Sequence, residues 1–259
     1  MPNRDHAPIG APCWADLWTS DVDASRRFYG ELFGWEAMEP SPEFGGYFMF
    51  HRDGVPVAGG MGDMGDMPAD NTWKVYLASD DADRTAQAAA DHAGQVMMPV
   101  VPIADLGRQT VLVDAVGATV GVWQAVTFPG FTVLDEPGAP GWFELRTHSL
   151  SEAIAFYRPV FGWHTEVVSD SNEFRYTTMV DPAEGTPIAG VFEAPWIPKD
   201  VPSEWTIYWG VADADVAVAE VVRLGGSVVD QPQDTPYGRM ATVTDPSGAE
   251  FRLRMPPAP

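Results

Sequence analysis

The chain has 259 residues, 45% of them hydrophobic and 12% aromatic, and its 15 Lys and Arg against 37 Asp and Glu give a formal charge of −22. That is enough apolar material for a sizeable core with room for two domains, and the acidity repels phosphate backbones and anionic lipid, so neither nucleic acid nor membrane is expected as a partner. No run approaches the roughly 18 apolar residues of a membrane span, and the opening MPNRDHAPIGAP lacks the apolar core of a signal peptide, so the expected location is the cytoplasm.

In chain order, CWADLWT reads as a short strand, and its single cysteine, Cys13, excludes an intrachain disulfide and reads as a small buried residue. Ser20, Asp21, Val22 and Asp23 then lead into DASRRFYGELFGW, where Phe28, Leu32 and Trp35 recur at helical spacing behind an Asp N-cap. GGYFMFHRDG, a turn at Asp53 and Gly54, and VPVAGGM supply further strands. MGDMGDMPADN (61 to 71) mixes Gly, Asp and Met too evenly for a helix or strand, so it reads as a flexible connector, with a lid over a ligand as the alternative role. WKVYLAS, an alanine-rich helix after DDAD ending at Gly94, and the strands QVMMPVVPI, TVLVDA and ATVGVWQ repeat the same order. Each segment is therefore β-α-β-β-β.

The chain is also written twice. GAPCWADLWTSDVDASRRFYGELFGW (10 to 35) matches GAPGWFELRTHSLSEAIAFYRPVFGW (138 to 163) without a gap, WKVYLASDDAD (73 to 83) answers WTIYWGVADAD (205 to 215), and GRQTVLVDAVGA (107 to 118) answers GRMATVTDPSGA (238 to 249). The Pro- and Gly-rich PGFTVLDEPGAPG (129 to 141) marks the seam, which predicts domains at 1–128 and 129–259. Four modules follow, at about 12–61, 72–125, 140–193 and 204–255. The second inter-module connector, EAPWIPKDVPSE (193 to 204), is stiffened by three prolines.

These features resemble the vicinal oxygen chelate superfamily, which includes glyoxalases, extradiol dioxygenases, fosfomycin-resistance proteins and bleomycin-binding proteins. The resemblance rests on the FYGELFGW and FYRPVFGW boxes, the DDAD and ADAD helix starts, and GRMATVTDPSGAEF near the end, and it spans nearly the whole chain. The GAPxW openings and doubled GR…D…GA strands are similar to actinobacterial tandem proteins of glyoxalase-like or hydroxylase-like type. The implied fold is α+β: four βαβββ modules forming two tandem domains with cupped mixed sheets and helices on the outer face. It does not imply one function, which must be argued from the site.

If helices cover one face, strand parity assigns the other to the cup. The inward sets are then Trp14, Asp16 and Trp18; Lys74, Tyr76 and Ala78; Thr119, Gly121 and Trp123; Trp142, Glu144 and Arg146; Thr206, Tyr208 and Gly210; and Glu250, Arg252 and Arg254. The resemblance implies metal ligands from the first strands and a Glu from the last, at Trp14, Lys74 and Gly121 in one half and Trp142, Thr206 and Arg252 in the other. A catalytic divalent ion needs about three His or carboxylate ligands, so no cofactor is expected. The alternative is a metal recruited through Glu250, Glu144 or Asp16 by a shifted alignment. His6, His51, His92, His148 and His164 are scattered along the chain and give no cluster.

What remains is an aromatic cup lined by Trp14, Trp18, Tyr76, Trp123, Trp142 and Tyr208, with Trp35 and Trp163 reserved for the core. Such a surface suits a small aromatic or hydrophobic ligand, and the acidic field favours a cationic one on encounter. Glu144, Arg146, Arg252 and Arg254 form either an internal ion-pair lattice or a working site. In the second case Asp16 or Glu144 is a general base or an amine's counter-ion, and Arg252 holds an anionic or enolate oxygen. Tyr47, His51 and Tyr176 add hydrogen bonds, and Glu250 shares the lining.

The expected function is metal-independent binding of a small aromatic molecule, as in natural-product sequestration, resistance or biosynthesis. The alternatives are an enzyme of the same superfamily, whether lyase, isomerase, hydroxylase or dioxygenase-like, and an interaction protein whose cups are filled by side chains. The internal duplication suits a monomer, and a homodimer is the alternative. No GxSxG, P-loop, HExxH or CxxC signature competes.

Overall fold

Every helix begins where its capping residue stands. In the computed structural model, which describes residues 4–63, 68–194, 196–198 and 200–257, the side chains of Asp21, Asp81, Ser149 and Asp213 each accept a backbone N–H three residues on. The first half runs β1 (Pro12–Trp18), α1 (Val22–Phe33), β2 (Glu36–Ala37), a 3₁₀ turn (Pro42–Phe44), β3 (Phe48–Arg52), β4 (Val55–Met61), β5 (Thr72–Ala78), α2 (Ala82–Asp91), β6 (Gln95–Ile103), β7 (Gly107–Val113) and β8 (Thr119–Ala125). The second runs β9 (Pro140–Thr147), α3 (Leu150–Phe161), β10 (His164–Asp170), β11 (Arg175–Val180), β12 (Pro187–Glu193), β13 (Glu204–Gly210), α4 (Ala214–Arg223), β14 (Ser227–Thr235), β15 (Gly238–Thr244) and β16 (Glu250–Met255).

The helical spacing overshoots at one point. Helix α1 stops at Phe33 because Gly34 turns left-handed (φ 70°), so Trp35 lies beyond the helix; Gly162 ends α3 in the same way. The strands form two eight-stranded mixed sheets, β2-β3-β4-β1-β5-β8-β7-β6 and β10-β11-β12-β9-β13-β16-β15-β14. In each, the central pair is antiparallel (β1 with β5, β9 with β13) and is flanked by parallel partners.

The helix-covered faces turn toward each other, so helices that are outer with respect to each cup are inner with respect to the molecule. Helix α1 contacts α4 and helix α2 contacts α3 across the two halves. Tyr29 of α1 donates to Asp245 Oδ2 (3.2 Å) in the turn before β16, and Tyr157 of α3 donates to Asp114 Oδ2 (2.7 Å) in the turn before β8. Each half thus docks its first helix on the other's last hairpin. Trp73 and Trp205 donate to those two tyrosine hydroxyls, Trp73 packs on Trp209 at 5.1 Å, and Trp35 and Trp163 donate across the halves to Gly138 and Gly10 carbonyls. These tryptophans are core. Cys13 is fully buried, and burial pushes its thiol up to about 12, so it is no nucleophile.

The segment between the halves is packed rather than slack. Phe131 is buried and its N–H donates to the Cys13 carbonyl (2.7 Å), where a side chain on Gly130 would stand 2.0 Å from the same oxygen. In the methionine-rich connector, residues 64–67 fall outside the described residues, and with them the lid reading.

Candidate functional site

Strand register brings five corresponding residues, a Trp, a carboxylate, two Tyr and a Gly, together on the face of each sheet away from its helices. In the first half Trp14 lies opposite Tyr76 and Asp16 opposite Lys74, while Tyr76 neighbours Gly121 on β8. In the second, Trp142 lies opposite Tyr208 and Glu144 opposite Thr206, while Tyr208 neighbours Arg252 on β16. Each set is completed by a tyrosine from the next strand region, Tyr47 or Tyr176, and by a glycine beneath it. A Cβ on Gly59 would stand 1.9 Å from the Tyr47 hydroxyl, and one on Gly190 would stand 1.8 Å from the Tyr176 hydroxyl. Only glycine lets those rings lie across the sheet.

The first cup is filled by the protein itself. Asp16 Oδ1 accepts from Trp14 Nε1 (2.9 Å) and from the Tyr47 hydroxyl (2.8 Å). Burial pushes the Asp16 carboxyl up to about 6, although Tyr47, Tyr76 and Trp14 donate to it and pull it back. Phe128 meets Trp14 edge-on at 4.8 Å and Phe131 meets it at 5.1 Å, while Trp123 Nε1 donates to the Phe128 carbonyl (2.9 Å). Trp14, Asp16, Tyr76 and Trp123 are consequently 7% exposed or less. At the rim Lys74 pairs with Asp70 and lies 5.5 Å over the half-buried Trp18 ring.

The second cup is less completely sealed: Glu144, Tyr176 and Tyr208 are buried, but Trp142, the counterpart of the buried Trp14, is half-buried. Trp142 Nε1 donates to the Tyr176 hydroxyl (2.9 Å). The Tyr208 hydroxyl donates to Glu144 Oε1 (3.0 Å) and accepts from Arg252 Nη1 (3.3 Å), and the guanidinium lies 5.3 Å from the Tyr208 ring centre. Burial, with Glu144 close by, raises both Tyr176 and Tyr208, so both hydroxyls stay protonated. Glu250 is also raised, by burial and then by Glu204. Along one wall Phe174 stacks on Tyr176 (5.4 Å, 12° between planes), Phe192 follows at 5.5 Å from Phe174, and Trp196 follows at 5.1 Å from Phe192. Trp196 is 59% exposed, and Trp142, Arg146, Glu250 and Arg252 are half-buried. The cup thus offers a stair of aromatic rings on one side and carboxyl, hydroxyl and guanidinium groups on the other, with Arg252 donating to the Tyr208 hydroxyl, which donates in turn to Glu144.

The proposed ion-pair lattice forms only in part. Arg146 pairs with Glu204 (3.1 Å) and Glu250 (3.7 Å), and Arg254 pairs with Asp135 (2.8 Å), but Glu144 and Arg252 are separated by the Tyr208 hydroxyl and form no ion pair among the described residues. His51 is half-buried on β3 opposite Glu36, outside the Asp16 hydrogen-bond set. Sequence reading missed Phe128 and Phe131, which close one cup, and Phe174, Phe192 and Trp196, which extend the other. It also passed over Gly59 and Gly190, whose signal was present: PVAGG and PIAGV align in the two halves with the glycine in common.

The residues at the metal positions implied by the resemblance do not fit a divalent ion. Lys74 and Arg252 bring positive charge, and Gly121 has no side chain, its place being filled by the Tyr76 ring, whose Cδ1 would stand 2.1 Å from an added Cβ. Among the described residues no group of three or more His, Cys, Asp or Glu side chains converges.

Comparison with known proteins agrees with this architecture. Residues 139–253 match the family model described as Glyoxalase/Bleomycin resistance protein/Dioxygenase superfamily. The chain is 37% identical over 270 residues, covering 100% of itself and 99% of the relative, to CFP32 of Mycobacterium bovis, whose name carries the word glyoxylase. It is 38% identical over 260 residues, covering 94% of itself and 92% of the relative, to the anthracycline biosynthesis protein DnrV of Streptomyces peucetius. Among solved structures, the Mn(II)-bound glyoxalase of Novosphingobium aromaticivorans superposes with a TM-score of 0.63 at 14% identity, covering 95% of this chain and 82% of that one. A catechol 2,3-dioxygenase superposes with a TM-score of 0.61 at 15% identity, covering 98% of this chain and 90% of that one. At those identities the likeness is one of fold. With near-complete alignment to relatives more than a third identical, the chain belongs to the glyoxalase, bleomycin resistance protein and dioxygenase superfamily.

Proposed function

We propose that this protein binds a flat aromatic small molecule in its second cup, without a metal, in a sequestering or accessory role in the making or handling of such a compound. The observation that carries the reading is the stair Tyr176, Phe174, Phe192 and Trp196, which leads out of the cup to an exposed tryptophan. Solvent-exposed aromatics in a concave site gain by stacking on a ligand, about 0.5–1.5 kcal/mol for each ring pair beyond the area buried. The similarity to an anthracycline biosynthesis protein supports a planar, multi-ring ligand.

The test is a fluorescence titration with anthraquinone-2-carboxylate in the presence of a chelator, repeated after exposure to manganese, iron and zinc. Saturable quenching at one equivalent, indifferent to metal and abolished by Trp142→Ala, is expected. Binding that requires a metal, or no binding, contradicts the proposal.

The second reading, a cofactor-free enzyme of the superfamily, is favoured by one feature: the Tyr208 hydroxyl joins Glu144 to Arg252. On that reading Glu144→Gln abolishes turnover of a bound compound while leaving it bound. As a pure binder, Glu144→Gln changes affinity alone.

A further inference from the structure

The second cup holds a guanidinium that makes no ion pair among the described residues, although Glu144, Glu250 and Asp230 lie near enough to favour its charge. Arg252 Nε is buried and has no hydrogen-bond partner, and its Nη1 reaches only the neutral Tyr208 hydroxyl (3.3 Å). The neighbouring arginines are ion-paired: Arg146, whose Nε is likewise without a partner, reaches Glu204 and Glu250, and Arg254 reaches Asp135 and the Gly141 carbonyl. Of the nearby carboxylates, Glu144 is engaged by Tyr208 and Glu250 by Arg146, and Asp230 acts on Arg252 without an ion pair among the described residues. A half-buried guanidinium whose Nε is enclosed without an acceptor is costly to keep, and an Arg fork is shaped for two parallel hydrogen bonds to one oxyanion group. At the equivalent position of the first cup stands Gly121, and the cation of that cup, Lys74, is paired with Asp70.

We infer that the ligand of the second cup carries an anionic oxygen on its flat ring system, a carboxylate or an ionised phenol or enol, received by Arg252. This rests on the reading of that cup as an aromatic site. Arg252 is then a specificity determinant that occupies a metal-ligand position of the superfamily and supplies fixed positive charge there. The formal charge of −22 favours cations on encounter, but that field is screened over about 10 Å at ordinary salt, whereas the guanidinium acts at contact.

The experiment compares four probes of one shape: anthraquinone-2-carboxylate, the neutral 2-carboxamide, the cationic 2-aminomethyl analogue, and 2-hydroxyanthraquinone below and above its own ionisation. Dissociation constants are measured for the unaltered protein, Arg252→Gln and Arg252→Lys, with thermal melting as a check of folding. The carboxylate is expected to bind at least tenfold tighter than the amide. Arg252→Gln is expected to erase that preference, and Arg252→Lys to keep part of it. Tightening of the hydroxy probe as it ionises extends the assignment to phenolates; no change restricts it to carboxylates. Equal binding of carboxylate and amide, preference for the cation, or a preference that survives Arg252→Gln overturns the inference and leaves the aromatic site standing. If no probe binds, the aromatic site falls and the inference with it. Should Arg252→Gln fail to fold, the probe series on the unaltered protein and on Arg252→Lys decides.

Discussion

The two cups begin from one pattern of Trp, carboxylate, Tyr, Tyr and Gly, and they end as opposites. In the first, Phe128 and Phe131 from the segment between the halves cover Trp14, and the carboxylate is sealed under its donors. In the second no such cover is present among the described residues, and an aromatic wall runs outward to Trp196. The substitution of Gly121 by Arg252 at equivalent positions fits this division, since Tyr76 lies down over the glycine whereas Tyr208 shares its space with a guanidinium. On the proposed reading, a duplicated fold keeps one site as packing and frees the other to take a ligand. Shared residues alone therefore do not indicate a shared role.

That contrast can be broken most forcefully with the paired tryptophans. Trp14→Ala should cost about 3–5 kcal/mol of stability, as for a large buried aromatic, and leave probe binding by the folded protein intact. Trp142→Ala should cost much less stability and abolish binding. Denaturant melts and titrations of both variants check the pair.

The next largest effect is on pH dependence. Asp16 sits at about 6 in the folded protein against an ordinary 3.8, so folding favours its protonated form. Its contribution to stability is full below pH 3.8 and is lost as pH rises through 6, about 3 kcal/mol at most. Asp16→Asn, which keeps an acceptor without the charge, should remove that loss, so the difference in stability between variant and unaltered protein should grow in the variant's favour from pH 4 to pH 7. A constant difference across that range would deny the burial of a titrating carboxyl.

Glycine replacements give a finer comparison. Gly59→Ala forces Tyr47 off Asp16 and should destabilise by about 1–3 kcal/mol with binding kept, whereas Gly190→Ala displaces Tyr176 and should weaken binding as well. The smallest expected effect comes from Phe128→Ala, about 2 kcal/mol for a half-buried ring, with a weak second equivalent of probe as the first cup opens. A calorimetric stoichiometry that stays at one would mean that Phe131 and Trp123 suffice to keep that cup closed.

Much of the fold was legible in the sequence because it is written twice. The FYGELFGW and FYRPVFGW boxes, the Asp and Ser caps and the alternating strands fix the modules and the inward parity of Trp14, Asp16, Trp142, Glu144, Tyr208 and Arg252 through local rules of period and capping. Which cup is open was not legible. It depends on where Phe128 packs just before a glycine- and proline-rich segment, and on rings from the start of β11, from β12 and from the following connector that meet only through tertiary contact. Nor could parity reveal that Arg252 makes no ion pair among the described residues, since Glu144 and Glu250 share its face of the sheet and their engagement elsewhere is a matter of ångströms.

The most direct measurement is a crystal structure of the complex with anthraquinone-2-carboxylate. The expected result is one molecule per chain in the second cup, its rings against Trp142 and Phe192 and its carboxylate on Arg252, with Phe128 still seated on Trp14. A probe lodged in the first cup with Phe128 displaced, or a metal ion bound through Asp16, Glu144 or Glu250, would contradict the division of labour between the two cups.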